Sequence, residues 1–529
     1  VPLLAWNRLA RSALLSASGV LAACAGDGAT VTPAPVDVAL QVGPTEAAPA
    51  PSVKATVPVA PAPSSPGSVP VARIWSKARF AWIQPEPHPS KGWLGFLGLG
   101  GSVALRGGSA EKARVAGPGG GCDGWYAVEP RGYVCTGDTA TIDPDDPVVR
   151  ALAEDAPKAD SPWPYEYAES LGAPRYPAVP TIDEEHRAEW YLDEHLKLVE
   201  QARAGGAVDR SIEGVDVAPA SPGRWGAPPE ASSLTALSPF VREPRTWIAT
   251  GSTVAYTRSF EALGRTFLVT HDHAFVPKDR VRPYPRSTFE GVVVDADHPL
   301  PIAFFRKTDR PKYRREAGGA FARTGEVFPR LSSVGLTGAE AEDGGQAYLE
   351  TREPGVWVLK DDACVARAEK DPPALALAGS GRHTWLDVSV LGGTLVAYEG
   401  DRPVFATLVS PGRGGTPVRG HDPLETASTP TGTFRVDGKF VTATMVSSTN
   451  DLLVHTEVQY VQNFHGPHAL HAAYWHDAWG ERKSGGCINL SPRDAQRLFA
   501  WTEPSVPEGW YGQRSVAELG PATVVVVRK

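Results

Sequence analysis

The chain has 529 residues, 42% of them apolar and 21% charged, with a net charge of −8. This length predicts about three domains rather than one core, and the composition is that of a folded protein. The mild acidity and the lack of a basic run with interleaved aromatics exclude nucleic acid as an expected partner. No stretch reaches the roughly 18–20 apolar residues that a spanning helix needs.

Residues 1–23 read as a signal peptide. Arg8 and Arg11 form a short positive region, followed by small residues and leucines up to Leu21-Ala22-Ala23-Cys24. That ending resembles a lipobox and predicts lipidation at Cys24. The alternative is a plain signal cut near Ala23. A lipidated chain would be tethered to a membrane through its anchor without spanning it. Ala25 in place of Asp points to the periplasmic face of the outer membrane.

Residues 24–72 continue as a Pro/Ala-rich linker with no aromatic residue. Such a segment cannot build a core or sustain a helix. Aromatics return at Trp75, Phe80, Trp82, Trp93 and Phe96, and short β runs between Gly and Pro turns follow. Residues 73–180 are therefore expected to form a β-rich domain that resembles a bacterial SH3-like barrel. The glycines between 98 and 108 are read as turns, since no Gly-Lys-Ser/Thr follows them. Cys122 and Cys135 close one compact segment. In an exported chain this spacing predicts a disulfide across a hairpin.

Thr181 and Glu184 have capping-box spacing and predict a helix to about Ala204, within a helix-and-linker region spanning 181–236. A second β-rich domain is expected over 237–381, with another SH3-like unit near 245–285. There, His271-Asp272-His273 could offer imidazoles to a metal, although a surface or turn placement is preferred. Cys364 has no evident partner and is expected to be buried.

The last region, 382–529, continues the β pattern. A hairpin is predicted around Gly392-Gly393, a fully buried final strand at Thr523 to Arg528, and a short helix capped by Ser491. Just before that helix lies Ser484-Gly485-Gly486-Cys487-Ile488-Asn489. A thiol on a tight glycine turn is open to attack chemistry, and the turn's N–H groups can converge on an oxyanion. His471, sixteen positions earlier, is a candidate base for the thiol.

Three segments together resemble L,D-transpeptidases with a YkuD-like catalytic domain. They are Thr429-Pro430-Thr431-Gly432-Thr433-Phe434, the histidine segment Leu470-His471 with Tyr474-Trp475-His476-Asp477, and the Ser484 to Asn489 turn. The family's nucleophile motif is Ser-His-Gly-Cys-hydrophobic-Asn/Arg, so Gly485 stands where a histidine is usual, and Ala472 where Gly or Ser is usual. The resemblance implies a mainly β, multi-domain protein ending in a YkuD-like β-sandwich with short helices.

It also implies a mechanism without a cofactor or metal. Cys487 is the nucleophile and His471 the base, while the backbone at Gly485 and Gly486 forms the oxyanion site. Tyr474, Trp475, His476, Ser484 and Asn489 bind substrate. The partners implied are peptidoglycan stem peptides: a tetrapeptide would lose its terminal D-Ala and be joined to a second stem. Two competing readings remain. One is a wall-binding lipoprotein whose transpeptidase domain is degenerate at Gly485. The other is a zinc peptidase using His465, His468, His471, His476 and Cys487.

Overall fold

The computed structural model describes residues 71–89, 92–153, 155–158, 160–189, 191–204, 247–369, 371–378, 381–446 and 453–529. The expected signal peptide, Cys24 and nearly all of the linker lie outside the described residues, as does the whole 205–236 stretch. Strands dominate, arranged in several antiparallel or mixed sheets. Among the described residues, no helix is long and apolar enough to cross a membrane.

The C-terminal region is a two-sheet sandwich. The first sheet has six strands, in the order Val292–Val293, Arg402–Leu408, Thr394–Glu399, Thr384–Ser389, Val524–Arg528 and Gly432–Arg435. Val524–Arg528 runs parallel to Thr384–Ser389 on one side and antiparallel to Gly432–Arg435 on the other. A strand paired on both edges and covered on its faces needs no polar alternation, and its valines are mostly buried.

The second sheet has seven strands. They are β1 (Ala81–Ile83), β2 (Gly95–Leu97), β3 (Gly438–Val446), β4 (Val454–His465), β5 (His468–Ala472), β6 (Ile488–Leu490) and β7 (Gly512–Arg514), in the spatial order β1-β2-β7-β3-β4-β5-β6. Leu386, Val388, Leu395, Val525 and Val527 of the first sheet meet Val441, Phe464, Leu470, Ile488 and Leu490 of the second in one apolar core. Helix α1 (Pro492–Trp501) buries Ala495, Leu498 and Phe499 against the same core. Its N-terminus is capped by Ser491, whose Oγ accepts from Asp494 N.

The upstream boundary proposed at 382 is crossed by this sheet. Strands β1 and β2 come from the first β-rich segment, yet β2 pairs with β7 near the end of the chain. The rest of that segment forms two three-stranded sheets, one built on Arg73–Ser76 and one on Gly124–Ala127. Its core also takes in Trp510. Cys122 and Cys135 are disulfide-bonded with Cα atoms 5.6 Å apart.

The expected single helix is two: Ile182–Ala188, with the Thr181/Glu184 capping box formed, and Leu192–Ala204. The break falls at Glu189. This buried carboxylate turns inward to hold Arg265 (2.7 Å) and Arg280 (2.6 Å), and an ionised group must be paired when buried. Two further sheets follow. Glu166–Ser170, Thr253–Ala262, Arg265–Thr270, Phe275–Pro277 and Val281–Pro283 make a five-stranded one. A separate seven-stranded sheet spans residues 302–366 and holds buried, unbridged Cys364.

His271-Asp272-His273 lies in a turn, one of the two placements expected, but not wholly at the surface. His273 is only 2% exposed. Asp272 pairs with Arg175, His273 faces Asp155 at 3.6 Å and His271 faces Glu457 at 3.4 Å. These groups knit the five-stranded sheet to its neighbours.

Candidate active site

Strand alternation fixes the site. β5 and β6 run parallel, with Leu470 opposite Ile488 and His471 opposite Asn489. Cross-strand neighbours share a face, and successive residues alternate between faces. Leu470, Ile488 and Leu490 therefore point into the sandwich core, whereas Ala469 and Cys487 pack on the other side. His471 and Asn489 lie on that second face, one pleat along from Cys487.

Cys487 is buried, and its Sγ lies 3.4 Å from Ala469 N, which donates to it. The turn before it is tied down by Ser484. Ser484 Oγ donates to Cys487 O at 2.6 Å and accepts from Gly486 N at 3.1 Å. Gly486 N–H, expected to serve an oxyanion, donates in this structure to the Ser484 hydroxyl of its own turn. Gly486 has φ +135°, and a Cβ there would sit 2.9 Å from both His468 Nε2 and Ser428 O. Only glycine fits.

His471 is fully buried. Its Nδ1 lies 2.8 Å from Ala472 O and its Nε2 lies 3.1 Å from Asn489 Nδ2. The carbonyl can only accept, so Nδ1 carries the proton and Nε2 is the bare acceptor. Asn489 Oδ1 in turn lies 3.3 Å from His476 Nε2, and His476 Nδ1 accepts from Ala478 N. Every partner in this chain is consistent with neutral rings. Burial pushes His471 down to about 4 against the pull of its bond to Ala472 O, and His476 adds to the fall. Burial likewise takes His476 to about 4.

The residues expected to bind substrate divide. Asn489 and Ser484 are buried and His476 half-buried, and the three hold His471 and the turn in place. Tyr474 is 4% exposed, stacks on Tyr167 at 3.9 Å and has its hydroxyl 2.6 Å from Thr253 Oγ1. It fastens the five-stranded sheet to this face. Trp475 stays half-buried between His455 (4.3 Å) and His471 (6.0 Å).

His468, which the sequence suggested only as a zinc ligand, abuts the nucleophile turn from the opposite face, with Nδ1 3.2 Å from His465 O. A strand sends residues 468 and 471 to opposite faces, so the crowded histidines do not converge. Among the described residues, no three His, Cys, Asp or Glu groups are placed to hold a metal.

The site is thus a cysteine on a glycine turn at one strand end, with a tautomer-fixed histidine on the neighbouring strand of a β-sandwich. Residues 383–527 match the family model of the L,D-transpeptidase catalytic domain, YkuD. No curated protein matches the chain. Similar solved structures include an L,D-transpeptidase from Xylanimonas cellulosilytica, 22% identical over 28% of this chain and 62% of that one, with a TM-score of 0.20. Another, from Stackebrandtia nassauensis, is 24% identical over 29% and 57%, with a TM-score of 0.19. The catalytic domain of the Enterococcus faecium L,D-transpeptidase is 23% identical over 28% of this chain and 100% of that domain, with a TM-score of 0.20. The chain thus spans less than two thirds of the first two relatives.

Proposed function

We propose that this chain is a cysteine-dependent L,D-transpeptidase of the cell envelope, anchored through a lipid at Cys24 to the periplasmic face of the outer membrane. Its substrates are peptidoglycan stem peptides. The observation that carries the reading is the common sheet face of Cys487 and His471, within a domain that matches the L,D-transpeptidase family.

The reduced Cys487 attacks the carbonyl that joins a diamino acid to the terminal D-Ala of a tetrapeptide stem. His471, neutral because it is buried, takes the thiol proton on Nε2 as Asn489 Nδ2 gives up that lone pair, and returns it to the leaving amine. D-Ala departs and a thioester remains. The side-chain amine of a second stem then attacks the thioester, loses a proton and releases the thiol, leaving a stem-to-stem cross-link. Gly485 replaces a ring that the family usually carries. It removes no proton acceptor, because His471 is present.

The test is to incubate the reduced full chain with tetrapeptide muropeptides and analyse the products by mass spectrometry. Release of D-Ala with a dimer one D-Ala lighter than two monomers is expected. Unchanged monomers would leave the wall-binding reading in its place.

A further inference from the structure

The outer strands of the catalytic sheet carry a row of rings that the reaction does not use. Trp82 on β1 is opposite Phe96 on β2, Phe96 is opposite Gly512 on β7, and Gly512 is opposite Phe440 on β3. Phe440 is opposite Val461 on β4. Asn463 is opposite Ala469, and the same register puts Val461 against His471. The row ends at Asn489, opposite His471. Partners across a sheet share a face, so the aromatic end and the catalytic end lie on one face of one sheet. Six strand spacings separate them, about 29 Å.

At the aromatic end, Phe80 and Trp82 stack at 5.2 Å with an interplanar angle of 15°, Trp93 lies 5.2 Å from Trp82, and Phe96 forms the buried floor. Phe80, Trp82 and Trp93 remain half-exposed. Trp125 and Trp510 in the same module donate their indole N–H to carbonyls, at 3.1 and 2.9 Å. The side chains of Trp82 and Trp93 have no such bond among the described residues. The Arg514 guanidinium stands 5.6 Å from the Trp93 ring centre and has no ion pair or hydrogen bond among the described residues.

We propose that Phe80, Trp82, Trp93 and Arg514 form a carbohydrate-binding platform whose occupant is the N-acetylated glycan of the cell wall. Flat rings offer a face to the C–H groups of a pyranose, and the unspent indole and guanidinium donors match its hydroxyl and acetamido oxygens. The choice of a glycan over a protein partner rests on the transpeptidase reading, because the platform stands on the same sheet as Cys487; between the two ends Phe440 and Val461 are covered by Tyr165 and Tyr167. The platform would hold a wall strand on the same rigid sheet as Cys487.

The test uses the full chain with Cys487→Ala, titrated with an N-acetylglucosamine hexamer and followed by tryptophan fluorescence and calorimetry. Saturable binding is expected. It should weaken about ten-fold or more in Trp82→Ala/Trp93→Ala and be largely kept in Trp82→Phe/Trp93→Phe, with melting temperatures confirming that each variant folds. No binding to the hexamer, or undiminished binding by the alanine pair, would overturn the platform. Carbapenem acylation of the two tryptophan variants with Cys487 intact is read in parallel and should be unchanged. Sugar binding without acylation in any protein would leave the platform standing and remove the transpeptidase reading. Acylation without sugar binding would do the reverse.

Discussion

Asn489 Nδ2 donates to His471 Nε2 across 3.1 Å, joining the strand that follows the nucleophile to the strand that carries the base. The bond fixes both the tautomer and the plane of the imidazole. Asn489 Oδ1, by accepting from His476, keeps the amide from turning over. Asn489→Ala is expected to slow acylation by about ten-fold or more, because a base acts only when aimed. Single-turnover acylation across pH 5 to 9 checks this. A purely structural role would leave the rate of the folded variant unchanged.

The departure at Gly485 separates the base from its neighbourhood. His471→Ala should slow acylation by about 10²–10⁴-fold, the usual worth of a general base. Gly485→His should change the rate far less. The measurement is single-turnover acylation of wild type and both variants by one carbapenem. Should wild type fail and Gly485→His succeed, the domain is degenerate.

Gly486 is the more constrained of the two glycines. Gly486→Ala places a methyl against His468 Nε2 and Ser428 O at a φ that L residues avoid. A loss of about 2 kcal/mol or more in urea denaturation is expected. A variant as stable as wild type would mean that the turn is looser than its contacts imply.

Asp494 makes stability depend on pH. Burial raises its carboxyl to about 6, against bonds from Gly291 N, Thr407 and Ser491. A folded-state pKa above the unfolded one stabilises fully below about 3.8, and the contribution is lost as pH rises through about 6. Asp494→Asn removes the titration and keeps an acceptor for Gly291 N. Its stability relative to wild type should therefore rise by about 2–3 kcal/mol between pH 4 and pH 8 in urea titrations. A flat difference would contradict the raised pKa.

Much of the catalytic region was legible because its signals are local. The Ser491 cap, the Gly392-Gly393 hairpin, the apolar last strand and the glycine turn before Cys487 each follow from a few adjacent residues. The rest depends on distant contacts. Nothing near Phe96 tells that β2 pairs with β7, more than four hundred positions later. A capping box announced the helix at Thr181, but its break at Glu189 is set by Arg265 and Arg280. Asn489 read as a substrate contact because its bond to His471 arises only when β5 and β6 lie side by side. The bond from Gly486 N to Ser484 Oγ is likewise a feature of the folded turn that spacing alone does not reveal.

The central claim is that Cys487 is the acylated residue. The direct measurement is the intact mass of reduced wild type and Cys487→Ala after incubation with one carbapenem. The account predicts one drug mass on wild type and none on Cys487→Ala. Equal labelling of Cys487→Ala would contradict it.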